Sequence, residues 1–201
     1  MVIHESLKGA LKLKAVLLDT CVLGTIRNNI KNPDVQDFLK LLDELKCTLT
    51  INDLIKAEFF RDANSHTELL ERNNFIKALC QQFSLPFDQS IYRSAMILSY
   101  IYVRHKHKGV ELIDLMTSAL LEKYANNQRL ILVTTNHKDY PLTVHDRIGA
   151  VVLDLGKDLS TLGFYTINTN KWAEEASELR DSEEWQPPAR SNIPEPPKLF
   201  G

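Results

Sequence analysis

The chain has 201 residues, 44% of them apolar and 25% charged, with seven glycines and eight prolines. That suits one folded domain, or one domain with an appendage, and it excludes collagen-like, wholly disordered and disulfide-scaffold classes. The net charge of −2 is unevenly spread: of 26 acids and 24 bases, seven acids and four bases fall in 171–201, which leaves 19 acids and 20 bases in a nearly neutral body.

In chain order, Met1 to Lys14 is mixed polar and basic, without the continuous apolar stretch or cleavage site of a secretory signal. Ala15 to Leu18 is a short apolar run ending in Asp19-Thr20, the pattern of a buried parallel strand with a polar residue at its C-terminal end. Pro33 and Asp34 introduce a helix over Val35 to Lys46, with Val35, Phe38, Leu39, Leu42 and Leu45 on one face. Cys47 to Ile51 is expected to be a second strand, after which Asn52 or Asp53 caps a helix running through Glu58 to about Asp62. Leu69, Phe75, Ile76, Leu79 and Phe83 mark another helical stretch, interrupted at Asn73-Asn74.

Pro86 and Asp88 open a long amphipathic helix to about Arg104, and Gly109 precedes a helix from Glu111 to Tyr124 that Asn126-Asn127 closes. Its most apolar run, Ala95 to Val103, is broken by Ser99 and is half as long as a bilayer requires, so no membrane span is expected. Leu130 to Thr134 is expected to be a strand, Ile148 to Leu153 a last apolar strand and Gly163 to Ile167 an edge strand. Strands alternating with helices predict an α/β fold, a mostly parallel central sheet with helices on both faces in three layers. The organisation read from this is a body over 1–168 and an acidic, proline-rich extension over 169–201, expected to be partly disordered, in which Trp172, Ala173 and Ala176 form a short helix packed on the body. Trp185 and the prolines from Pro187 to Pro197 suit docking on a partner. Cys21, Cys47 and Cys80 are odd in number and lack a C-x-x-C pair, which argues against a disulfide framework and a cysteine zinc site and for a cytoplasmic protein.

Ligands of open parallel sheets bind outside the C-terminal ends of the strands, so the polar residues there carry the functional argument. Four carboxylates stand out: Asp19 ending the first strand, Glu58 inside the next helix but one, Asp114 opening the helix after Gly109, and Asp139 in the loop after Thr134. Taken one at a time, each is equally a helix cap or a surface charge. Taken together in apolar surroundings they need a compensating cation, and hard oxygen donors suit Mg²⁺ or Mn²⁺ rather than zinc.

The text around the four acids, Val16-Leu17-Leu18-Asp19-Thr20-Cys21-Val22-Leu23, Ala57-Glu58-Phe59-Phe60-Arg61, Asp114-Leu115-Met116-Thr117-Ser118-Ala119 and Val133-Thr134-Thr135-Asn136-His137-Lys138-Asp139-Tyr140, resembles in order the motifs of the PIN-domain ribonucleases. The resemblance runs from about Val16 to Leu153, and Leu85-Pro86-Phe87-Asp88 is similar to the family's linker before a long helix. Cys21 stands where many members have Asn or Ser, and Met116-Thr117-Ser118 replaces the commoner small apolar residues.

The resemblance implies a PIN-like fold and metal-assisted hydrolysis of RNA phosphodiesters that leaves a 5′-phosphate and a 3′-hydroxyl. It further implies Asp19 and Asp114 as direct Mg²⁺ or Mn²⁺ ligands, Glu58 and Asp139 completing the set or orienting water, and Thr20 and Asn136 as hydrogen-bonding supports. The best-known members are VapC-like toxins of toxin-antitoxin pairs, which implies an antitoxin protein and a homodimer as partners beside RNA. Arg104, Lys106 and Lys108, in the run Arg104-His105-Lys106-His107-Lys108, are expected either to end a helix favourably or to form a phosphate-binding rim.

Two other chemistries compete. Cys21 to Arg27 fits the C-x-x-G-x-x-R loop of cysteine phosphatases, which would place a thiolate and an arginine around a phosphate. A haloacid-dehalogenase-like site would want an acid two residues after Asp19, where Cys21 stands, and no glycine-rich loop offers a dinucleotide or P-loop site. A non-enzymatic alternative is a catalytically inactive PIN-like module that binds RNA or protein.

Overall fold

The structure is a computed structural model, and it describes residues 1, 3–80, 84–107, 109–125 and 130–180. Phe83, Lys108, Asn126, Asn127, Trp185 and the prolines from 187 onward, all weighed above, lie outside the described residues.

The sheet is built outward from β1 (Ala15–Leu18), whose Val16, Leu17 and Leu18 are fully buried. A strand buried on both faces reads as a continuous apolar run, and this one is a central strand. It pairs in parallel with β2 (Thr48–Asn52) on one side and with β4 (Leu130–Thr134) on the other, while β3 (Ser84–Leu85), too short to carry a sequence signal, extends the sheet beyond β2. Beyond β4 the sheet continues antiparallel through β6 (Leu159–Ile167) to β5 (His145–Asp154), giving the order β3-β2-β1-β4-β6-β5. Three of its five pairings are parallel, so the α/β class with a mostly parallel sheet holds, in an arrangement compatible with three layers.

The edge assignment is corrected. The β5–β6 hairpin folds back so that β6 lies inside the sheet and β5 forms its edge, with a bulge between Arg147 and Gly149. Charged Asp146, Arg147 and Asp154 along β5 suit an edge that must not pair further. Inside the sheet, Gly163 is required by close approach: a Cβ there would meet His137 Nδ1 at 2.7 Å and Tyr165 Cε2 at 2.7 Å.

The helices that carry the site start with local caps. Asp19 is the N-cap of α2 (Thr20–Asn28), which follows α1 (Glu5–Leu11) and precedes α3 (Pro33–Glu44). Asn52, fully buried, caps α4 (Asp53–Arg61) by accepting from Ile55 N at 2.8 Å, which settles the choice between Asn52 and Asp53. Helix α5 (His66–Cys80) runs unbroken through Asn73-Asn74, correcting the expected interruption: asparagine weakens a helix without ending it when flanking turns are held. Asp88 caps α6 (Gln89–Arg104), and Gly109, at φ +79°, turns the chain towards α7 (Leu112–Ala125) in a conformation that favours glycine.

The extension begins as structure. Helix α8 (Thr169–Arg180) buries Trp172 at 3% exposure and Ala176 fully, while Ala173 faces solvent, contrary to the packing expected of it. Among the described residues no helix is long and apolar enough to cross a membrane.

Candidate active site

Asp19 sits where β1 becomes α2, and its backbone N–H still donates to Val133 O of β4 at 3.1 Å. Its carboxylate is fixed on both oxygens: Oδ1 accepts from Thr20 N at 2.8 Å, and Oδ2 accepts from Thr134 Oγ1 at 2.5 Å and from Cys21 Sγ at 3.3 Å. Thr134 Oγ1 in turn accepts from Asn136 N at 2.9 Å, so the turn after β4 is tied to the end of β1.

The other three acids come from separate elements. Glu58, half-buried on α4, accepts from Thr20 Oγ1, which ties α4 to α2. Asp139 ends the 3-10 turn His137–Asp139 and accepts from Asn136 Nδ2, while Asp114, in the first turn of α7, accepts from Tyr140 Oη at 3.0 Å. Asp19, Asp114 and Asp139 are only 6%, 8% and 8% exposed. Glu58, Asp114 and Asp139 each commit one oxygen to a donor, and the second oxygen of each has no protein donor among the described residues.

All four line one open cleft of about 320 Å³, together with Thr20 and Asn136. Its electrostatics are adverse without a counter-charge. Burial, then the charges of Asp19 and Asp139, push the Asp114 carboxyl up to about 7, against the smaller opposing effect of the Tyr140 hydrogen bond. The Tyr140 hydroxyl is itself pushed well up by burial and by Asp19 and Asp114, so it remains a donor. Among the described residues no group of three or more His, Cys, Asp or Glu is placed so that it could hold a metal ion. The acids share the cleft, and within it the charges of Asp19 and Asp139 add to burial at Asp114.

The expected site residues thus divide. Asp19, Thr20, Glu58, Asp114, Asn136 and Asp139 are brought together. Arg104 and Lys106 do not line the cleft: Arg104 lies 3.8 Å from Glu175 of α8, beside a His105–Glu175 contact of 2.9 Å, and Lys106 is exposed in the turn after α6. The cations that do line it, Arg61 and Lys138, flank Glu58 and Asp139 in sequence and were not singled out there. Thr134 and Tyr140, both inside the stretch Val133 to Tyr140, add hydrogen bonds to Asp19 and Asp114 that the motif alone does not assign. His137 does not line the cleft; its ring is tilted against Tyr165 with centroids 6.1 Å apart, and its Nδ1 lies 3.0 Å from that hydroxyl.

The cysteine-phosphatase alternative fails on geometry. Cys21 to Arg27 is helix α2, with no loop amides to cradle an anion, and Cys21 carries a thiol that burial and then Asp19 push up, the reverse of an activated thiolate. Compared with known proteins, the chain matches no family model, no curated protein and no solved structure.

Proposed function

We propose that this chain is a PIN-like, metal-dependent endoribonuclease that hydrolyses RNA phosphodiester bonds in the Asp19–Glu58–Asp114–Asp139 cleft. One observation carries the reading: separate segments at the sheet end bring Asp19, Glu58, Asp114 and Asp139 into one polar cleft that Asp62 and Glu111 also line, where burial and then the charges of Asp19 and Asp139 raise Asp114 to about 7. Mutual repulsion of this kind is costly unless a cation or a cation-bound substrate relieves it.

The donor chemistry fits a hard divalent ion. Mg²⁺ keeps several waters and takes one or two carboxylates plus substrate phosphates, so it does not require the three-residue cluster that the described residues lack. Asp19 and Asp114 would hold the ion, and when bound it would polarise the scissile phosphate and make an attacking water more acidic. The chain's own residues do the rest. Thr20 N–H and Thr134 Oγ1 keep Asp19 in one rotamer, and Tyr140 does the same for Asp114. Glu58 and Asp139, each with an uncommitted oxygen, orient a water and accept its proton. Arg61 and Lys138, exposed at the rim, draw the polyanion towards an acidic pocket it would otherwise avoid. If the chain is the toxin of a toxin-antitoxin pair, the same cleft is where its antitoxin would insert a basic side chain.

The test is cleavage of a labelled mixed-sequence RNA by wild type, Asp19→Asn and Asp114→Asn in Mg²⁺, Mn²⁺ and EDTA. Cleavage that requires metal and disappears in both variants is the expected result. Folded wild type that cuts nothing in either metal would overturn the nuclease reading in favour of a PIN-like binding module.

A further inference from the structure

A second cavity of about 210 Å³ opens directly off the acidic cleft, sharing Thr20, Glu58 and Asp62 with it, and runs along α2 towards α5. Two arginines line it, and they differ in what they have left to give. Arg72 is a strut: its guanidinium donates to Phe59 O at 2.5 Å, to Asp62 O at 3.1 Å and to Glu68 Oε1 at 3.1 and 2.5 Å, and it lies over the Phe59 ring. Arg27 is held by charge alone, 3.9 Å from Glu68 and 3.7 Å from Glu71, distances too long for hydrogen bonds. The side chain is 28% exposed, and its N–H fork makes no hydrogen bond to a described residue. Glu68 stays ionised because the Asn64 N–H and Arg72 hold its carboxyl below the usual range, so Arg27 is positioned without spending a donor. Gly24, one turn earlier on α2, lines the same space, and a Cβ there would meet nothing within 4 Å.

A guanidinium with unspent donors beside an open space is a phosphate fork. At about 210 Å³ the cavity has room for one such group. We propose that Arg27 receives the phosphate of the nucleotide next to the scissile bond in this annex, so that single-stranded RNA lies across the acidic cleft and along α2. The substrate class rests on the nuclease reading above; the subsite itself rests on Arg27, Gly24 and the continuity of the two cavities. Arg27 thus contacts phosphate from a helix, as a second anchor for a chain whose reacting phosphate lies among the acids.

The test is anisotropy titration of a fluorescent single-stranded RNA 12-mer in Ca²⁺, a hard cation that neutralises the carboxylates, over a range of salt. The proteins are wild type, Arg27→Gln, Gly24→Leu, and Lys40→Gln as an exposed off-site control on α3. Losing one phosphate contact lowers the slope of log affinity against log salt by about 0.7 for a single strand. Arg27→Gln is expected to weaken binding roughly tenfold with that fall in slope. Gly24→Leu, which fills the annex without changing charge and replaces a mid-helix glycine, is expected to weaken binding by a similar factor with its thermal melt intact. Binding by Arg27→Gln and Gly24→Leu equal to that of Lys40→Gln would overturn the subsite, as would wild type that fails to bind the 12-mer. Metal-dependent cleavage is scored separately, so binding without cleavage removes the nuclease reading alone, and cleavage with binding insensitive to Arg27 removes the subsite alone.

Discussion

Asp114 is the residue at which burial and like charge meet, and its titration gives a signed prediction. Its folded pKa of about 7 lies above the 3.8 of an unperturbed aspartate, so between those values the folded protein holds a proton that the unfolded chain has released. Stability of the metal-free protein from this group therefore falls as pH rises from about 4 to about 7 and is unpenalised below that window. Asp114→Asn in EDTA should match wild type near about pH 4 and exceed it by up to about 4 kcal/mol near about pH 8, read by urea unfolding at both. Equal stability at the higher pH would mean that neither burial nor the charges of Asp19 and Asp139 raise this carboxyl. His145 carries the opposite sign: complete burial pushes its imidazole down to about 4, so its share of stability is lost as pH falls from about 6.5 to 4. His145→Gln should flatten that acid limb of the unfolding midpoint while leaving the alkaline decline of Asp114 in place.

Each element owes its position to a small number of side chains. Asn52 is buried at the β2–α4 junction, and its cap on Ile55 N sets where α4 begins and so where Glu58 falls. Asn52→Ala should cost about 1–2 kcal/mol in chemical unfolding and lower cleavage by loosening the Glu58 contact with Thr20. Gly163→Ala is the corresponding test of β6, where the added methyl must displace Tyr165 or His137, the first residue of the turn that ends in Asp139; a cost of about 1–3 kcal/mol is expected.

At this scale the sequence was most informative where periodicity or a cap acted locally. The strand Leu130 to Thr134, the cap at Asp88 and the acid at the end of Leu18 needed no tertiary context. Helix α2 was hidden because its first turn follows the strand without a gap and its Gly24 reads as a loop. The place of β6 inside the sheet was hidden because strand order is set by which hairpin face meets β4, which alternation along one strand does not encode. The acids were legible through their apolar flanks. The cations opposite them were not, since Arg61 and Lys138 look like any exposed base until the cleft is closed around them, whereas the eye-catching run from Arg104 meets the acidic α8 instead.

For the whole molecule, the proposed metal is a ligand of the folded state, and ligands of the folded state stabilise it. At a hundredfold excess over Kd the gain is about 2.7 kcal/mol, and for a chain of this size each kcal/mol moves Tm by about 2–4 °C. Mg²⁺ or Mn²⁺ should therefore raise the wild-type Tm by more than about 5 °C near saturation and leave Asp19→Asn almost unmoved, measured by differential scanning fluorimetry. An unchanged wild-type Tm with both ions would count against the donor assignment even if RNA were bound.

The sheet order has a consequence for when the site comes into being during synthesis. Strand β4 is a late segment of the chain inserted beside β1, one of the earliest, and it brings with it Thr134 to brace Asp19 and the turn that carries Asp139. A nascent chain that has not yet emitted residues 130–139 holds Asp19 and Glu58 but cannot assemble the cleft. If the proposed activity is right, the polypeptide is inert towards the ribosome's own RNA and towards its messenger until most of it has left the exit tunnel, because the last arrivals occupy the middle of the sheet.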